Sequence, residues 1–236
     1  MPRVTVAPSA SSSFGPFAAR EPLFAHGDIS LRLLLPRSAD ELIDEGAFAR
    51  DERLPYWADV WPGAKSLARY LLDHPPREVS ATAPARVIEL GCGAAALASL
   101  VLALRGAHVL ATDYEPEALD SVQANVHRHN GCAERLSTRL LDWRDAPGDL
   151  GVFELVLGAD LMYEQRNAMA LADIVPRILA PGGRMLLADP SRRYLPEFQG
   201  LMRERGFIER ELAMIEEPND DPAKPPSRVR IIEFAR

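Results

Sequence analysis

The run from Arg86 to Leu97 constrains the fold of this chain more than any other part of the sequence. Its apolar first half includes Glu89, two glycines one residue apart follow at Gly91 and Gly93, and an alanine-rich segment comes directly after them. This order predicts a buried strand that turns tightly into a helix. Glycine lets a ligand approach the backbone, and the N–H groups at the start of a helix attract an anion.

A second acidic residue closes the next strand-like run. Asp113 ends the segment His108–Asp113 and lies about 20 residues after the glycines, the offset at which a carboxylate reaches ribose hydroxyls in nucleotide-binding folds. Together with the glycines it indicates a cofactor that carries a nucleoside. The segment from Gly91 to Ala96 also fits the dinucleotide fingerprint G-x-G-x-x-G/A, so an NAD-dependent oxidoreductase is one hypothesis.

From Arg86 onward, strand-like and helix-like segments alternate along the chain. Strands are predicted at 86–90, 107–112, 136–141, 152–158 and 183–188, with helices between or after them at about 94–105, 116–129, 164–179 and 194–205. Two further strand-like runs, 207–215 and 229–234, follow one another without a helix. The sequence therefore predicts an α/β, Rossmann-like fold: a seven-stranded, mostly parallel sheet with helices on both faces and a C-terminal antiparallel hairpin.

The length of the chain favours a single domain. Its 236 residues, 47% of them hydrophobic, are enough to bury one sizeable core. We expect residues 21–236 to form that domain, with an extended and helical preface over 21–80 in which Ser38 to Glu41 form a capping box. Residues 1–20 are expected to be a disordered tail, because prolines interrupt any helix there.

Charge and cysteine content limit the partners of the chain. A formal net charge of −7 without a dense basic run argues against general binding to nucleic-acid phosphates. Cys92 and Cys132 form neither a disulfide framework nor a metal-ligand spacing. His127 and His129, two apart on a predicted helix, cannot share a ligand, so no metal site is predicted. No apolar run approaches the about 20 residues that span a bilayer, and we expect a cytoplasmic monomer.

A second interpretation of the same acids and glycines involves S-adenosyl-L-methionine. Methyltransferases with a seven-stranded sheet have acid-x-Gly-x-Gly at the end of the first strand, acids after the second and third strands, and a terminal antiparallel hairpin. The chain resembles that class: Glu89, Gly91 and Gly93 fill the first positions. Asp113 and Asp142 fill the other two. An alanine replaces the frequent third glycine, and alanine still allows a helix to begin.

Two further segments narrow the resemblance. Pro55–Leu72 is similar to the entry segment of methyltransferase family 16, and Gly158–Tyr163 matches the Asp-x-x-Tyr motif of that group. The similarity runs from about residue 50 to the C-terminus and is strongest to the branch that modifies the β-subunit of electron transfer flavoprotein, also labelled nicotinamide N-methylase-like. It implies an S-adenosyl-L-methionine-dependent enzyme that methylates a lysine of a protein, either that β-subunit or a ribosomal protein.

The resemblance also implies a role for each site residue. Cofactor contacts are assigned to Trp61, Glu89, Gly91, Cys92, Gly93, Asp113, Asp142, Trp143 and Ala159. In that assignment Asp113 holds the ribose hydroxyls, and Asp142 with Trp143 flanks the adenine. Asp160 and Tyr163 are the catalytic candidates: Asp160 accepts a hydrogen bond from the incoming ammonium and orients its nitrogen, and Tyr163 lines the acceptor pocket.

Structural interpretations of the acids, and other acceptors, stay open on the sequence alone. Glu89 fits a buried acid satisfied by backbone N–H groups, and Asp113 and Asp142 fit caps of the segments that follow them. Leu161 and Met162 replace the prolines found in methyltransferases of nucleic-acid bases, which argues against a base acceptor. A small amine or pyridine is the alternative acceptor, and a binding module without activity is a further hypothesis.

Overall fold

The structure is a computed structural model that describes residues 19–36, 54–80 and 83–236, together with residues 39 and 42. Residues 1–18 of the predicted 1–20 tail lie outside the described residues, whereas Ala19–Arg20 form a short strand. Ser38, Asp40 and Glu41 of the predicted capping box also lie outside the described residues. Within the part of the chain that is described, no helix is long and apolar enough to cross a membrane.

Seven strands form one central sheet. They are β1 (Arg86–Leu90), β2 (His108–Asp113), β3 (Leu136–Leu140), β4 (Phe153–Ala159), β5 (Leu179–Asp189), β6 (Ile208–Glu217) and β7 (Ser227–Ala235). Across the sheet their order is β6-β7-β5-β4-β1-β2-β3. Neighbours from β5 to β3 are parallel, whereas β7 is antiparallel to both β5 and β6. The predicted Rossmann-like sheet with its C-terminal antiparallel hairpin is confirmed.

Helices cover both faces of this sheet. They are α1 (Pro62–Asp73), α2 (Leu97–Leu104), α3 (Pro116–Arg128), α4 (Gln165–Ile178) and α5 (Leu195–Glu204). Because side chains alternate along a strand, Val87 of β1 packs in the layer of α1 to α3, and Ile88 packs in the layer of α4 and α5. Both side chains are fully buried, as a central parallel strand requires.

Short elements complete the chain before and between these units. They are the strands Ala19–Arg20, Leu23–His26, Ile29–Arg32, Leu35–Pro36, Val79–Ser80 and Ala83–Pro84, and the 3-10 turns Tyr56–Ala58 and Trp143–Asp145. The segment before residue 36 packs on α3 through Asn125, whose buried amide accepts from Leu34 N at 2.7 Å and donates to Leu34 O at 2.9 Å. The same segment is also joined to the domain by ion pairs such as Arg128 with Glu21, and by Phe24 and Leu31, which pack into the core.

The helix after the glycines begins later than the sequence predicts. α2 starts at Leu97 and not near residue 94, because Gly91, Gly93 and Ala96 take positive φ angles of 64°, 59° and 41°. Glycine adopts this left-handed conformation readily, whereas alanine is strained in it. Residues 91–96 therefore form a turn between β1 and α2.

Candidate cofactor and catalytic site

A cleft opens at the carboxyl ends of β1, β2 and β4, where the order of the strands reverses. It encloses about 930 Å³ of space, including the part open to solvent. Parallel sheets bind ligands at such a reversal point. The lining includes ten of the predicted site residues: Trp61, Glu89, Gly91, Cys92, Gly93, Asp113, Trp143, Ala159, Asp160 and Tyr163. Asp142 is the predicted site residue that does not line it.

The glycine turn forms a wall of the cleft that leaves no room for larger side chains. A Cβ on Gly91 would lie 2.8 Å from Leu161 Cδ2 and 3.0 Å from Trp143 Cζ2. A Cβ on Gly93 would lie 3.1 Å from the carbonyl oxygen of Trp57. Because both glycines also have positive φ angles, the turn requires glycine at these two positions.

Glu89 lies on β1 just before this turn and is 2% exposed. Its Oε2 accepts hydrogen bonds from Ser99 N at 2.9 Å and from Ser99 Oγ at 2.5 Å. Burial, reinforced by the charge of Asp113, raises the pKa of the Glu89 carboxyl to about 7. The acid thus fixes the first turn of α2 as the structural interpretation predicts, and it also lines the cleft.

Asp113 joins the end of β2 to the glycine turn. Its Oδ2 accepts from Gly93 N at 2.9 Å, and its Oδ1 accepts from Glu115 N at 3.1 Å. Burial raises the pKa of this carboxyl to about 6, although the backbone N–H donors oppose the shift. Asp113 therefore holds the shape of the turn from a position in the cleft lining.

Asp142 and Trp143, the second and third residues after β3, have different surroundings. Asp142 accepts from Arg144 N at 3.0 Å and from Arg144 Nη2 at 2.6 Å, so it caps the 3-10 turn that follows. Trp143 lines the cleft, and its buried Nε1 has no hydrogen-bond partner among the described residues.

Asp160 follows β4 in a left-handed conformation, with a φ of 59°. It is 4% exposed, and its Oδ2 accepts from the backbone N of Gly63, in the first turn of α1, at 2.6 Å. Its Oδ1 accepts from Arg192 Nε at 3.0 Å and from Arg192 Nη2 at 2.7 Å. Burial raises the pKa of the Asp160 carboxyl, and Arg192 opposes that shift. Asp160 thus caps α1 and pairs with a cation.

Three rings and one guanidinium form an aromatic cluster in the lining: Tyr56, Trp61, Tyr163 and Arg192. The ring of Tyr56 is 5.9 Å from that of Trp61 and 5.1 Å from that of Tyr163, both edge-on. The guanidinium carbon of Arg192 lies 5.1 Å from the centre of the Trp61 ring. Burial raises the pKa of Tyr163 to about 12, so its hydroxyl keeps its proton at neutral pH.

Sequence reasoning missed two members of this cluster. Tyr56 belongs to the aromatic, proline-bounded segment 55–62. No sequence pattern predicted that its ring contacts those of Trp61 and Tyr163 edge-on. Arg192 follows β5, in a stretch without a motif, and only the sheet order brings it to Asp160.

Comparison with known proteins connects this geometry to a family. Residues 51–204 match the model of a family described as lysine methyltransferase. The chain is 32% identical to the electron transfer flavoprotein beta subunit lysine methyltransferase of Xenopus laevis, over 70% of this chain and 63% of that protein. It is 33% identical to EEF1A lysine methyltransferase 3 of Mus musculus, over 59% of this chain and 58% of that protein. The matched regions thus span about 60% of each relative's own length.

Solved structures support the fold. Magnesium protoporphyrin IX methyltransferase from Synechocystis PCC 6803, solved with bound SAM, matches with a TM-score of 0.58 at 17% identity. The match covers 84% of this chain and 94% of that chain. At this level of identity the likeness concerns the fold alone.

Proposed function

We propose, because this chain belongs to the lysine methyltransferase family, that it is an S-adenosyl-L-methionine-dependent N-methyltransferase whose acceptor is the side-chain amine of a lysine in a protein. The observation that carries the proposal is one cleft, lined both by the glycine turn and by Asp160 with Tyr163. A cofactor site and an acceptor site are adjacent there, and both lie within the segment that matches the family.

Three observations support a nucleoside-bearing cofactor in the cleft. Gly91 and Gly93 bring the backbone of the turn to the cleft without side chains. Trp143 lines the cleft beside Gly91 and gives it an aromatic surface. Asp113 presents a carboxylate at the end of β2, where ribose hydroxyls are bound in folds of this type. We assign these residues, with Trp61 and Ala159, to cofactor binding.

The acceptor end of the cleft must orient an amine and exclude water. When bound, the cofactor supplies a methyl group on a positively charged sulfur, already activated for transfer. The acceptor amine would have to reach that methyl group as the neutral base, with its proton released to solvent. Asp160 would accept a hydrogen bond from the amine and orient its lone pair towards the methyl group, and Tyr163 would line the pocket.

The choice of a protein lysine as acceptor rests on the relatives. Those named above act, by their names, on lysines of two different proteins, the electron transfer flavoprotein beta subunit and EEF1A. We therefore propose the electron transfer flavoprotein β-subunit as the first protein to test and EEF1A as the second, with a ribosomal protein, which the sequence resemblance alone implies, after them. A small amine or pyridine remains the competing acceptor, because the same Asp160 and Tyr163 would orient it.

Two measurements in sequence test the proposal. S-Adenosylhomocysteine should raise the melting temperature of the chain, because it binds only the folded state, and NAD should not. Incubation with S-adenosyl-L-methionine labelled in its methyl group and a lysate of the source cell should then label protein. A thermal shift with NAD alone excludes the methyltransferase, and label confined to small molecules favours the small-amine acceptor.

A variant of Asp160 tests whether methyl transfer takes place in the cleft. Asp160→Asn should lower protein labelling by about 100-fold or more, because the amine loses its orienting charge, while S-adenosylhomocysteine still binds. Asp173→Asn is the matched control, since Asp173 is a surface residue of α4 whose side chain is 66% exposed. Normal labelling by Asp160→Asn would remove Asp160 from the chemistry.

A further inference from the structure

Arg192 occupies the part of the cleft where the acceptor amine is expected. Its Nε and Nη2 both donate to Asp160 Oδ1, at 3.0 and 2.7 Å. Its guanidinium carbon lies 5.1 Å from the centre of the Trp61 ring, within the range of a cation–π contact. One cation of the chain thus holds both a buried carboxylate and an aromatic face.

These two contacts are the ones that a lysine ammonium would make. An ammonium binds a carboxylate as a point charge and binds aromatic faces through the same cation–π attraction. A carboxylate oxygen has two acceptor positions, and Arg192 fills both on Oδ1 of Asp160. On Oδ2, the backbone N–H of Gly63 fills one. A second cation therefore gains full access to Asp160 only if Arg192 moves.

We propose that Arg192 is an internal substitute for the acceptor's ammonium: it occupies Asp160 and Trp61 in the substrate-free chain, and the substrate amine takes its place. The inference rests on the proposed function. It makes Arg192 a residue that determines specificity, since only an acceptor able to compete with a guanidinium for the same two partners reaches the site.

The attachment of Arg192 allows this exchange. Its backbone N donates to Asp189 Oδ1 at 2.7 Å, so the main chain is held independently of the side chain. The side chain is 25% exposed, against 5% for that of Asp160. The guanidinium can therefore swing into solvent without a movement of the turn after β5, whereas the carboxylate stays in place, held by Gly63.

The test measures competition for Asp160 directly. n-Butylammonium carries the reactive end of a lysine side chain, and its binding is followed by tryptophan fluorescence in the presence of saturating S-adenosylhomocysteine. Arg192→Ala should bind it about tenfold more tightly than the unaltered chain, because no internal cation has to be displaced from a largely buried carboxylate. Free guanidinium should then compete with n-butylammonium in the variant, since it refills the vacated place.

Further variants separate this role from a structural one. Arg192→Lys keeps the charge but loses the planar two-point contact, so its affinity should lie between those of Arg192→Ala and the unaltered chain. Arg193→Ala, next in the sequence and exposed, is the matched control and should leave the affinity unchanged. Adding Asp160→Asn to Arg192→Ala should abolish the gain, because the shared partner is removed.

The opposite results would overturn the inference. If Arg192 instead supports Asp160 during binding, Arg192→Ala binds n-butylammonium more weakly and free guanidinium restores the affinity. Unchanged affinity for n-butylammonium in both Arg192→Ala and Arg192→Lys would also exclude the proposal that the substrate amine takes the place of Arg192. Failure of the unaltered chain to bind S-adenosylhomocysteine would overturn the proposed function. If the chain binds S-adenosylhomocysteine normally and the Arg192 variants bind n-butylammonium as the unaltered chain does, only the role of Arg192 is overturned.

Discussion

At the scale of a single residue, Asp113 offers a direct test of the cofactor site. Its two oxygens accept from the backbone N–H groups of Gly93 and Glu115, and an asparagine would present an NH2 donor to one of them. Asp113→Asn should therefore weaken S-adenosylhomocysteine binding by about tenfold or more, measured by titration calorimetry. Asp120→Asn, on the exposed face of α3, is the control with normal affinity. Equal affinity of both variants would exclude Asp113 from the site.

Glu89 gives a prediction for the pH dependence of stability. Burial raises the pKa of its carboxyl to about 7 in the folded chain, against an ordinary pKa of 4.5. The unfolded chain loses that proton first, so stability due to Glu89 is present below pH 4.5 and is lost as the pH rises towards 7. Because glutamine does not ionise, Glu89→Gln should gain about 3 kcal/mol relative to the unaltered chain between about pH 5 and pH 8.

Thermal unfolding of the two proteins across that pH range measures the difference. Glu134→Gln replaces an exposed acid before β3 and serves as the control whose difference from the unaltered chain stays flat. A Glu89→Gln difference that is equally flat would mean that the buried carboxyl is ionised throughout.

The sequence predicted where the acids lie better than it predicted what they contact. Glu89, Asp113 and Asp160 end up in one cleft, because strand ends of a parallel sheet converge and the strand pattern is visible in the sequence. The pairing of Asp160 with Arg192 was not predictable, because it depends on side-chain directions at two turns that no periodicity encodes.

At the scale of one element, the start of α1 depends on the cleft. A Cβ on Gly63 would overlap Oδ2 of Asp160 and lie 3.1 Å from the carbonyl oxygen of Ala188. Gly63→Ala should therefore lower the free energy of unfolding by about 1–3 kcal/mol, although alanine is the better helix former. Gly200→Ala in α5, where a Cβ meets nothing within 4 Å, should raise it by about 1 kcal/mol. Chemical denaturation compares the two, and a stabilised Gly63→Ala would contradict the contact with Asp160.

The elements were predictable in kind and less so at their ends. The strands of the sheet were found because apolar runs alternate with amphipathic helices. α2 begins three residues late, since the backbone at Ala96 takes a left-handed conformation that alanine does not signal. β5 starts at Leu179, directly after α4 and four residues before the predicted strand 183–188.

At the scale of the whole molecule, Asn125 is one of several residues that join the segment before residue 36 to the rest of the domain. Its amide satisfies both Leu34 N and Leu34 O and also donates to Ala94 O at 3.3 Å. Asn125→Ala should lower the free energy of unfolding by about 3 kcal/mol, because buried backbone groups lose their partners. Gln123→Ala, exposed two residues earlier on α3, should change it by less than about 0.5 kcal/mol. Urea denaturation measures the free energy of unfolding of both variants. Equal losses in the two would show that the Asn125 amide does not anchor the segment.

The order of the strands also has a consequence for how the chain is synthesised and folds. The central pair, β1 with β4, joins Val87 to Leu155, so β2 and β3 must be made before it can form. Contacts between distant residues form slowly, since the intervening chain must close into a loop first. On the ribosome, a nascent chain that has not yet released residue 192 lacks part of the crevice between these strands. A ligand that needs the whole crevice can therefore stabilise only the late stages of folding, after residue 192 has been made.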